Sequence, residues 1–145
     1  MSSGEGGAGA QVVGRYEMSI QSEDDVVLVR RMVRGLAQKR GFDAFAVTAV
    51  TTATSEITRN TWVHAGKGDV IIEELSSGGR FGLRLEFRDE GPGIADISRV
   101  MQGGFSTARS LGLGVSGTRK LVDELDIESE VGRGTRVRFE KWTRF

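Results

Sequence analysis

Alternating and helical patterns of apolar residues define the first part of the chain. Residues 15–20, RYEMSI, alternate and predict a first strand. Helical spacing follows up to about Arg40, where Ser22 can cap the start of the helix and Gly41 can end it. The apolar positions of this first helix are Val26, Val29, Val33 and Leu36.

The middle of the chain predicts a second helix and then a hairpin. Residues 43–63 contain neither glycine nor proline and favour a helix, although threonine is a mediocre helix former. Residues 69–75, DVIIEEL, and residues 81–87, FGLRLEF, read as strands joined by SSGG, a typical hairpin turn.

The last part of the chain predicts one more helix and two strands. Helical spacing extends from Val115 to Leu125, and residues 126–131 and 135–142 form strands across a GRG turn. Strand groups with helices between them favour a two-layer α/β sandwich, with helices on one face of a mixed sheet. We expect one domain, residues 15–145, after a flexible glycine-rich tail, residues 1–14.

Composition restricts the function more by exclusion than by direct evidence. The 145 residues carry 20 basic and 20 acidic side chains, so no basic excess points to nucleic acid. There is no cysteine and one histidine, which excludes disulfides and multi-histidine metal sites. With no apolar run of membrane-spanning length and no signal-peptide pattern, we expect a soluble, cytoplasmic protein without membrane contact.

Three polar residues of the second helix point to chemistry. Glu56, Asn60 and His64 are four residues apart and form a slowly turning column, although such a column is commonly just a solvated face. An amide oxygen such as that of Asn60 can bind Mg²⁺, which otherwise keeps water and phosphate oxygens. A carboxylate one turn away can accept the proton of a hydroxyl aimed at a phosphate. His64 is expected to be structural.

Glycines are the second chemical signal. The 21 glycines are about twice the usual share, and many lie between residues 91 and 117. RDEGPGI, residues 88–94, follows a strand, and LGLGVSG, residues 111–117, starts a helix where backbone N–H groups can bind phosphate. The irregular stretch between them has the length of a lid or binding loop. Neither a P-loop nor the protein-kinase HRD and DFG motifs occur.

Taken together, these motifs resemble the boxes of the GHKL ATPase superfamily, which includes gyrase and the histidine kinases. Glu56-x-x-x-Asn60, Asp89-x-Gly91-x-Gly93, Gly112-x-Gly114 and Gly134-Thr135 occur in the order of that superfamily, over residues 15–142. The resemblance implies the GHKL ATP-binding fold, with ATP and Mg²⁺ as cofactors. It also implies the site residues: Asp89 and Thr135 at adenine, Gly91 and Gly93 beside the ring and lid, Gly112 and Gly114 at the phosphates, and Asn60 at the metal.

Within the superfamily, the chain is most similar to the small serine/threonine kinases of the anti-sigma type, such as the switch kinases of the stressosome. These kinases phosphorylate STAS-domain scaffold or antagonist proteins, and the switch kinases then bind and activate a phosphatase, here expected to be of the PP2C type. The resemblance implies that Glu56 is the general base and that Arg109 reaches the γ-phosphate from a lid, residues 103–111. Lys120 is expected to be a surface residue.

Other functions share the same boxes. A histidine-kinase catalytic domain acts on a histidine of an attached helix pair, for which residues 1–14 offer no candidate segment. Gyrase-like ATPases couple hydrolysis to movement and need a much longer chain. A nucleotide-gated binding module, which sequesters a partner without kinase activity, remains the main alternative, and the presence of Glu56 favours the kinase.

Overall fold

The structure is a computed structural model, which describes residues 9–93 and 110–144, with side chains from residue 115 in the second range. The elements in chain order are β1 (Gln11–Ile20), α1 (Glu23–Lys39), α2 (Ala44–Ala65), β2 (Gly68–Ser77), β3 (Arg80–Asp89), α3 (Ser110–Arg119), β4 (Glu124–Glu130) and β5 (Gly134–Trp142).

The strands form one sheet in the order β1-β2-β3-β5-β4. Apolar residues of one sheet face, among them Ile72, Leu85 and Phe139, share a core with α1, α2 and α3. The expected two-layer sandwich is therefore confirmed. Every strand pair in the described residues is antiparallel, so the expectation of a mixed sheet is wrong in this detail. The reason is that β5 returns between β3 and β4, the two strands that run in the same direction.

The first strand begins earlier than its alternation suggests. Gln11 already pairs with Ser76, so residues 11–14, expected to belong to the tail, are part of the sheet. The register shifts between Val12 and Gly14, and this bulge interrupts the period of two on which the sequence pattern depends. Residues 1–8 lie outside the described part of the chain.

The ends of α1 only partly follow the expected cap chemistry. Ser22 occupies the N-cap position, but its side chain makes no cap hydrogen bond. Instead, the Asp25 carboxylate accepts a hydrogen bond of 2.7 Å from the backbone N–H of Gln21. Gly41 ends the helix as expected, with φ of 83°. Phe42 N–H donates to the Ala37 carbonyl at 3.0 Å, which closes the last turn.

Threonine hydroxyls of helix α2 donate hydrogen bonds to the backbone of the same helix. Asp43 caps the helix by accepting from Ala46 N–H at 2.8 Å, and Gly66 ends it with φ of 82°. Each of four hydroxyls donates to the carbonyl four residues earlier, which is how a threonine-rich segment remains helical inside a core. These threonines are Thr51, Thr54, Thr58 and Thr61.

The third helix lies earlier in the chain than expected. It ends at Arg119, whereas helical spacing suggested residues 115–125. Leu121 and Val122 still pack against the core, but they do so from the turn after the helix, and Leu125 belongs to β4 opposite Phe139. A turn followed by an alternating strand thus imitates helical spacing over a short window.

The expected β2–β3 hairpin is confirmed, and its loop has two residues. Gly78 and Gly79 have φ of 58° and 83°, the left-handed pair of a type I′ turn. Beside this hairpin, Glu74 is 1% exposed yet ionisable. It accepts from the Tyr16 hydroxyl at 2.7 Å and from Arg40 Nε at 2.8 Å, and Lys39 Nζ lies 3.3 Å away. This Glu74 cluster fastens β1 and the end of α1 to β2.

Candidate active site

The polar column of α2 passes from the surface into the interior. The Glu56 side chain is 37% exposed, and Arg59 Nη1 lies 3.8 Å from its carboxylate. Asn60, one turn further, is 5% exposed, and among the described residues neither its amide oxygen nor its amide nitrogen has a hydrogen-bond partner. A merely solvated face would not bury Asn60, so this reading of the column is wrong at that position.

The environment of Asn60 fits a metal that completes its coordination with non-protein oxygens. A buried amide normally has hydrogen-bond partners, and leaving it without them costs free energy. The described residues contain no group of three or more histidine, cysteine, aspartate or glutamate side chains that could hold a metal ion. A hard cation at Asn60 would therefore take most of its ligands from water and phosphate, as Mg²⁺ does.

Asp89 lies at the end of β3, directly opposite Thr135 of β5. Burial raises the pKa of Asp89 above its ordinary value, while hydrogen bonds from the backbone at Gly91 and Thr135, together with nearby His64, act to lower the pKa. The Gly91 N–H donates to Asp89 Oδ1 at 2.9 Å. The carboxylate is thus oriented by its own loop, and Oδ1 is held toward Gly91.

Asp89 and Thr135 line both a small cavity and a wide cleft. The cavity, about 60 Å³, has room for about two water molecules. It brings together Asn60, His64, Asp89, Gly93 and Thr135, together with Ile57, Thr61, Pro92, Val115 and Val137. The cleft, about 960 Å³, has the size of a small-molecule site and includes Lys67, Arg88 and Arg136 in its wall.

The two glycines of the loop after β3, Gly91 and Gly93, allow this loop to pack closely against neighbouring elements of the fold. A Cβ on Gly91 would lie 2.7 Å from Ala65 Cβ, at the end of α2. Gly93, with φ of 80°, would place a Cβ 2.4 Å from the Glu130 carbonyl oxygen. Gly132 N–H also donates to the Pro92 carbonyl at 3.0 Å. The described contacts of Gly91 and Gly93 are therefore with α2 and the β4–β5 turn, and a role beside an adenine ring stays a prediction.

The phosphate-side motifs are only partly described. Gly112 and Gly114 lie inside the first half of α3, rather than before its first residue. Lys120 is exposed, as expected of a surface residue. Arg109 and most of the expected lid, residues 103–109, lie outside the described residues. The roles of Gly112, Gly114 and Arg109 therefore remain predictions.

With this geometry established, similarity to known proteins decides the family. Residues 21–141 match the histidine kinase-like ATPase domain family. The chain belongs to this family. ATP is accordingly the nucleotide that a domain of this family implies, and the GHKL resemblance of the sequence motifs is confirmed.

Two kinds of relatives within the family cover most of the chain. The chain is 42% identical over 125 residues to the serine/threonine-protein kinase RsbT of Bacillus subtilis (strain 168), covering 86% of this chain and 94% of RsbT. It is 34% identical over 102 residues to the anti-sigma F factor of Thermoanaerobacter sp. (strain X514), covering 66% of this chain and 70% of that protein. The chain is thus a homologue of a serine/threonine kinase and of anti-sigma factors, as the sequence motifs indicated.

A solved structure supports the fold. The histidine kinase domain from the Erythrobacter litoralis EL346 blue-light activated histidine kinase superposes with a TM-score of 0.51 at 22% identity, covering 80% of this chain and 59% of that chain. In the described part of the chain, no helix is both long and apolar enough to cross a membrane.

The structure adds residues to the candidate site that the sequence did not indicate. Ser129 Oγ lies 2.9 Å from Thr135 Oγ1 and 3.0 Å from the Gly134 carbonyl oxygen. Ala65 meets Gly91 at the end of α2. Ser129 can be recognised only from the β4–β5 register, which pairs it with Thr135. Ala65 can be recognised only from its close approach to Gly91, which is possible because Gly91 has no side chain.

Proposed function

We propose that the protein is an ATP-dependent serine/threonine protein kinase of the anti-sigma regulatory type. The observation that carries the proposal is the α2 column, in which the buried Asn60 amide, without a hydrogen-bond partner in the described part of the chain, lies one turn from the partly exposed carboxylate of Glu56. A metal-binding amide in the interior and a proton acceptor at the surface are the two groups that transfer to an external hydroxyl requires.

Nucleotide binding is assigned to the cavity and cleft at Asp89. Asp89 accepts from the adenine amino group, and Thr135, held by Ser129, supports the same contact. Gly112 and Gly114 leave room for phosphate oxygens near the start of α3. Asn60 holds Mg²⁺, which when bound neutralises phosphate charge.

The chain's own residues then carry out the transfer. Glu56 accepts the proton of a serine or threonine hydroxyl, and the hydroxyl oxygen forms a bond to the γ-phosphorus. The bond from that phosphorus to the bridging oxygen breaks, and ADP leaves with the electron pair. Arg109 stabilises the charge on the transferred group, since positioning and electrostatics supply most of the rate in phosphoryl transfer.

The proposed substrates are STAS-domain proteins of a sigma-factor stress-response pathway in the cytoplasm. Support comes from the relatives, one of which is named a serine/threonine kinase and others anti-sigma F factors. Phosphorylation of the STAS partner would release the kinase, which would then bind and activate a PP2C-type phosphatase. Neither nucleic acid nor membrane enters this scheme.

A nucleotide-gated binding module is the second candidate. The anti-sigma F factors among the relatives favour it, because their name describes a regulator of a sigma factor and not an enzyme. The same Asp89 and Asn60 would then bind nucleotide, but Glu56 would have no proton to accept. Phosphoryl transfer therefore distinguishes the two functions.

The test is transfer from labelled ATP to a STAS-domain protein by Glu56→Gln. Glutamine keeps the size of the side chain but accepts no proton, so transfer should fall roughly 10²–10⁴-fold while ATP affinity stays within about twofold. Glu56→Asp is the matched control, because it keeps the carboxylate on a shorter side chain and should retain part of the rate. Transfer by Glu56→Gln at the wild-type rate would leave the binding module as the function.

A further inference from the structure

Three polar side chains form a row across the inner face of the sheet. Asp89 of β3 lies directly opposite Thr135 of β5, and Thr135 lies directly opposite Ser129 of β4. We call these three residues the polar row. Each lies two positions along its strand from a residue that belongs to or packs against the apolar core, namely Phe87, Val137 or Ile127. Because side chains two apart share a face of a strand, the polar row faces the helices.

The contacts of Ser129 define the direction of two hydrogen bonds. Ser129 Oγ lies 3.0 Å from the Gly134 carbonyl oxygen and 2.9 Å from Thr135 Oγ1. A carbonyl oxygen only accepts, and a hydroxyl group has a single hydrogen to donate. Both contacts are hydrogen bonds only if Ser129 donates to Gly134 and the Thr135 hydroxyl donates to Ser129.

The hydrogens of Thr135 are therefore directed along the polar row. Its hydroxyl hydrogen points to Ser129, and its backbone forms a hydrogen bond with the Asp89 carboxylate. The Thr135 side chain is left with the lone pairs of its oxygen, and an ionised Asp89 likewise only accepts. Both residues line the small cavity, so both present acceptors to it.

Two neighbouring acceptors match one feature of adenine. The amino group at position 6 of adenine has two N–H hydrogens, so it can donate one to Asp89 and the other to Thr135. Guanine and hypoxanthine have a carbonyl oxygen at that position, which would face two acceptors. A threonine hydroxyl whose hydrogen was not already donated would weaken this discrimination, because hydroxyl hydrogens rotate toward a nearby acceptor.

The location of Ser129 in β4 supports a role beyond packing. Leu125 and Ile127 are apolar at the preceding positions on the same face of this strand and pack against the core. Ser129 interrupts this apolar series at the position that pairs with Thr135. Among the described residues, Ser129 lines the wide cleft but not the small cavity. A base amino group at Asp89 would therefore be affected by Ser129 through Thr135.

We propose that Ser129 determines base selectivity by taking the hydroxyl hydrogen of Thr135, which makes the Thr135 side chain an acceptor only. The site then favours purines with an amino group at position 6 over purines with a carbonyl there. This inference rests on the proposed function, because binding of the base at Asp89 belongs to that function. Ser129 is a positioning residue, since it acts on the base through Thr135.

The experiment measures the dissociation constants of ATP, GTP and ITP for the full chain, by competition against a fluorescent ATP analogue. Ser129→Ala leaves the Thr135 hydroxyl able to donate to a carbonyl. The preference for ATP over GTP should then fall about three- to tenfold, the usual effect of one hydrogen bond. ITP lacks the second amino group of GTP and should show the same change, which assigns the effect to position 6. Partial loss of folded protein cancels from the ratio.

Two further variants distinguish this role from a structural one. Ser129→Thr keeps a hydroxyl on a residue type that suits a strand, and it should retain the wild-type ratio. In a Thr135→Val background there is no hydroxyl hydrogen to release, so adding Ser129→Ala should leave the ratio within about twofold, a non-additivity typical of residues in contact. An equal fall in both backgrounds would overturn the inference.

Thr135→Val alone tests the direction of the hydrogen bond even if Ser129→Ala does not fold. Loss of an acceptor should weaken ATP binding and relieve the carbonyl of GTP, so the preference for ATP should fall. If the Thr135 hydroxyl instead donated to the base, its removal would weaken GTP binding more, and the preference would rise. Such a rise would show that Thr135 is not an acceptor.

The outcomes separate this inference from the proposed function. If the wild type prefers ATP and Ser129→Ala keeps that preference, the inference is wrong and the proposed function stands. If Ser129→Ala loses the preference but the wild type transfers no phosphate to a STAS-domain protein, the inference stands and the kinase function fails. Equal binding of ATP and GTP by the wild type overturns both the inference and the assignment of the base to Asp89.

Discussion

Gly134 lies against the backbone of Asp89, so that a Cβ on residue 134 would be 2.0 Å from the Asp89 carbonyl oxygen. Gly134 also has φ of 123°, a conformation that residues with side chains rarely adopt. The carboxylate expected to bind adenine and the first residue of β5 are therefore positioned by one backbone contact. Any side chain at residue 134 must displace the end of β3.

Substitution of two glycines in the same turn should distinguish the effect of backbone strain from the effect of displacing Asp89. Gly132→Ala adds a side chain at φ of 84° in open space, so it should cost about 1–2 kcal/mol of stability and leave ATP affinity nearly unchanged. Gly134→Ala adds the collision with Asp89, so it should cost more stability and lower ATP affinity roughly tenfold or more, since small displacements in a site are costly. Chemical denaturation and nucleotide titration measure both effects. Equal affinities in the two variants would show that the contact does not position Asp89.

Asn60→Ala should dissociate function from stability. Within residues 9–93 and 110–144, the buried amide of Asn60 has no hydrogen-bond partner to lose, so truncation should cost less than the 1–3 kcal/mol usual for breaking a buried polar contact. Mg²⁺-dependent ATP binding should nevertheless disappear. Denaturation curves and ATP titrations with Mg²⁺ and with EDTA measure the two quantities. Intact Mg²⁺-dependent binding in Asn60→Ala would remove Asn60 from the metal site.

Asp89 should select ATP over GTP. Its carboxylate only accepts hydrogen bonds when ionised, and guanine presents a carbonyl where adenine presents an amino group. An unpaired buried group costs about 1–3 kcal/mol, so ATP should bind roughly 10- to 100-fold more tightly than GTP. Competition against a fluorescent ATP analogue measures the ratio. Equal competition by the two nucleotides would show that Asp89 does not contact the base.

The Asp89→Asn variant should be more stable than the wild type in the absence of nucleotide. Burial raises the pKa of Asp89, so its stabilising contribution is present below the ordinary pKa of aspartate and is lost as pH rises through the raised value. The variant should therefore gain stability relative to the wild type at neutral pH, and this gain should vanish in acid. Thermal unfolding at several pH values tests the sign, and a gain that is independent of pH would contradict the assignment to ionisation.

Glu74 should show the opposite dependence on pH. Although burial alone would raise the pKa of Glu74, hydrogen bonds from Arg40, Tyr16 and Lys39 lower it below the ordinary value. Its contribution is then present above the ordinary pKa of glutamate and is lost as pH falls through the lowered value. Glu74→Gln should cost about 1.5–3 kcal/mol at neutral pH, the usual contribution of hydrogen bonds to a charged group, because Arg40 and Lys39 remain partly exposed to water. The cost should shrink in acid, and Glu73→Gln, which removes a less buried carboxylate of the same strand, is the control.

The sequence predicted the parts of this fold that depend on local pattern. The SSGG hairpin and the end of α1 at Gly41 follow from backbone conformations that glycine alone adopts readily. The pattern failed where an irregularity changes the period, as at the β1 bulge near Gly14 and at the turn before β4, where Leu121 and Leu125 imitate a helix.

For the candidate site, the sequence identified residue types but not their burial or partners. Spacing brought Glu56 and Asn60 onto one column, but it could not show that Asn60 is buried, with no partner among the residues that the structure describes, while Glu56 remains at the surface. The β4–β5 register, which sets Ser129 beside Thr135, is a long-range property of the sheet. The sequence likewise could not distinguish a glycine that makes room for a ligand from one such as Gly93, which makes room for the backbone of the protein itself.

The threonine hydroxyls of α2 have a mechanical consequence. Thr54, Thr58 and Thr61 are buried, yet each donates its hydroxyl hydrogen to a carbonyl of the same helix. A small sliding of α2 along its axis would therefore break none of these hydrogen bonds, because donors and acceptors travel together. Displacement of the helix that carries the proposed base and metal ligand would therefore leave these three buried hydroxyls hydrogen-bonded.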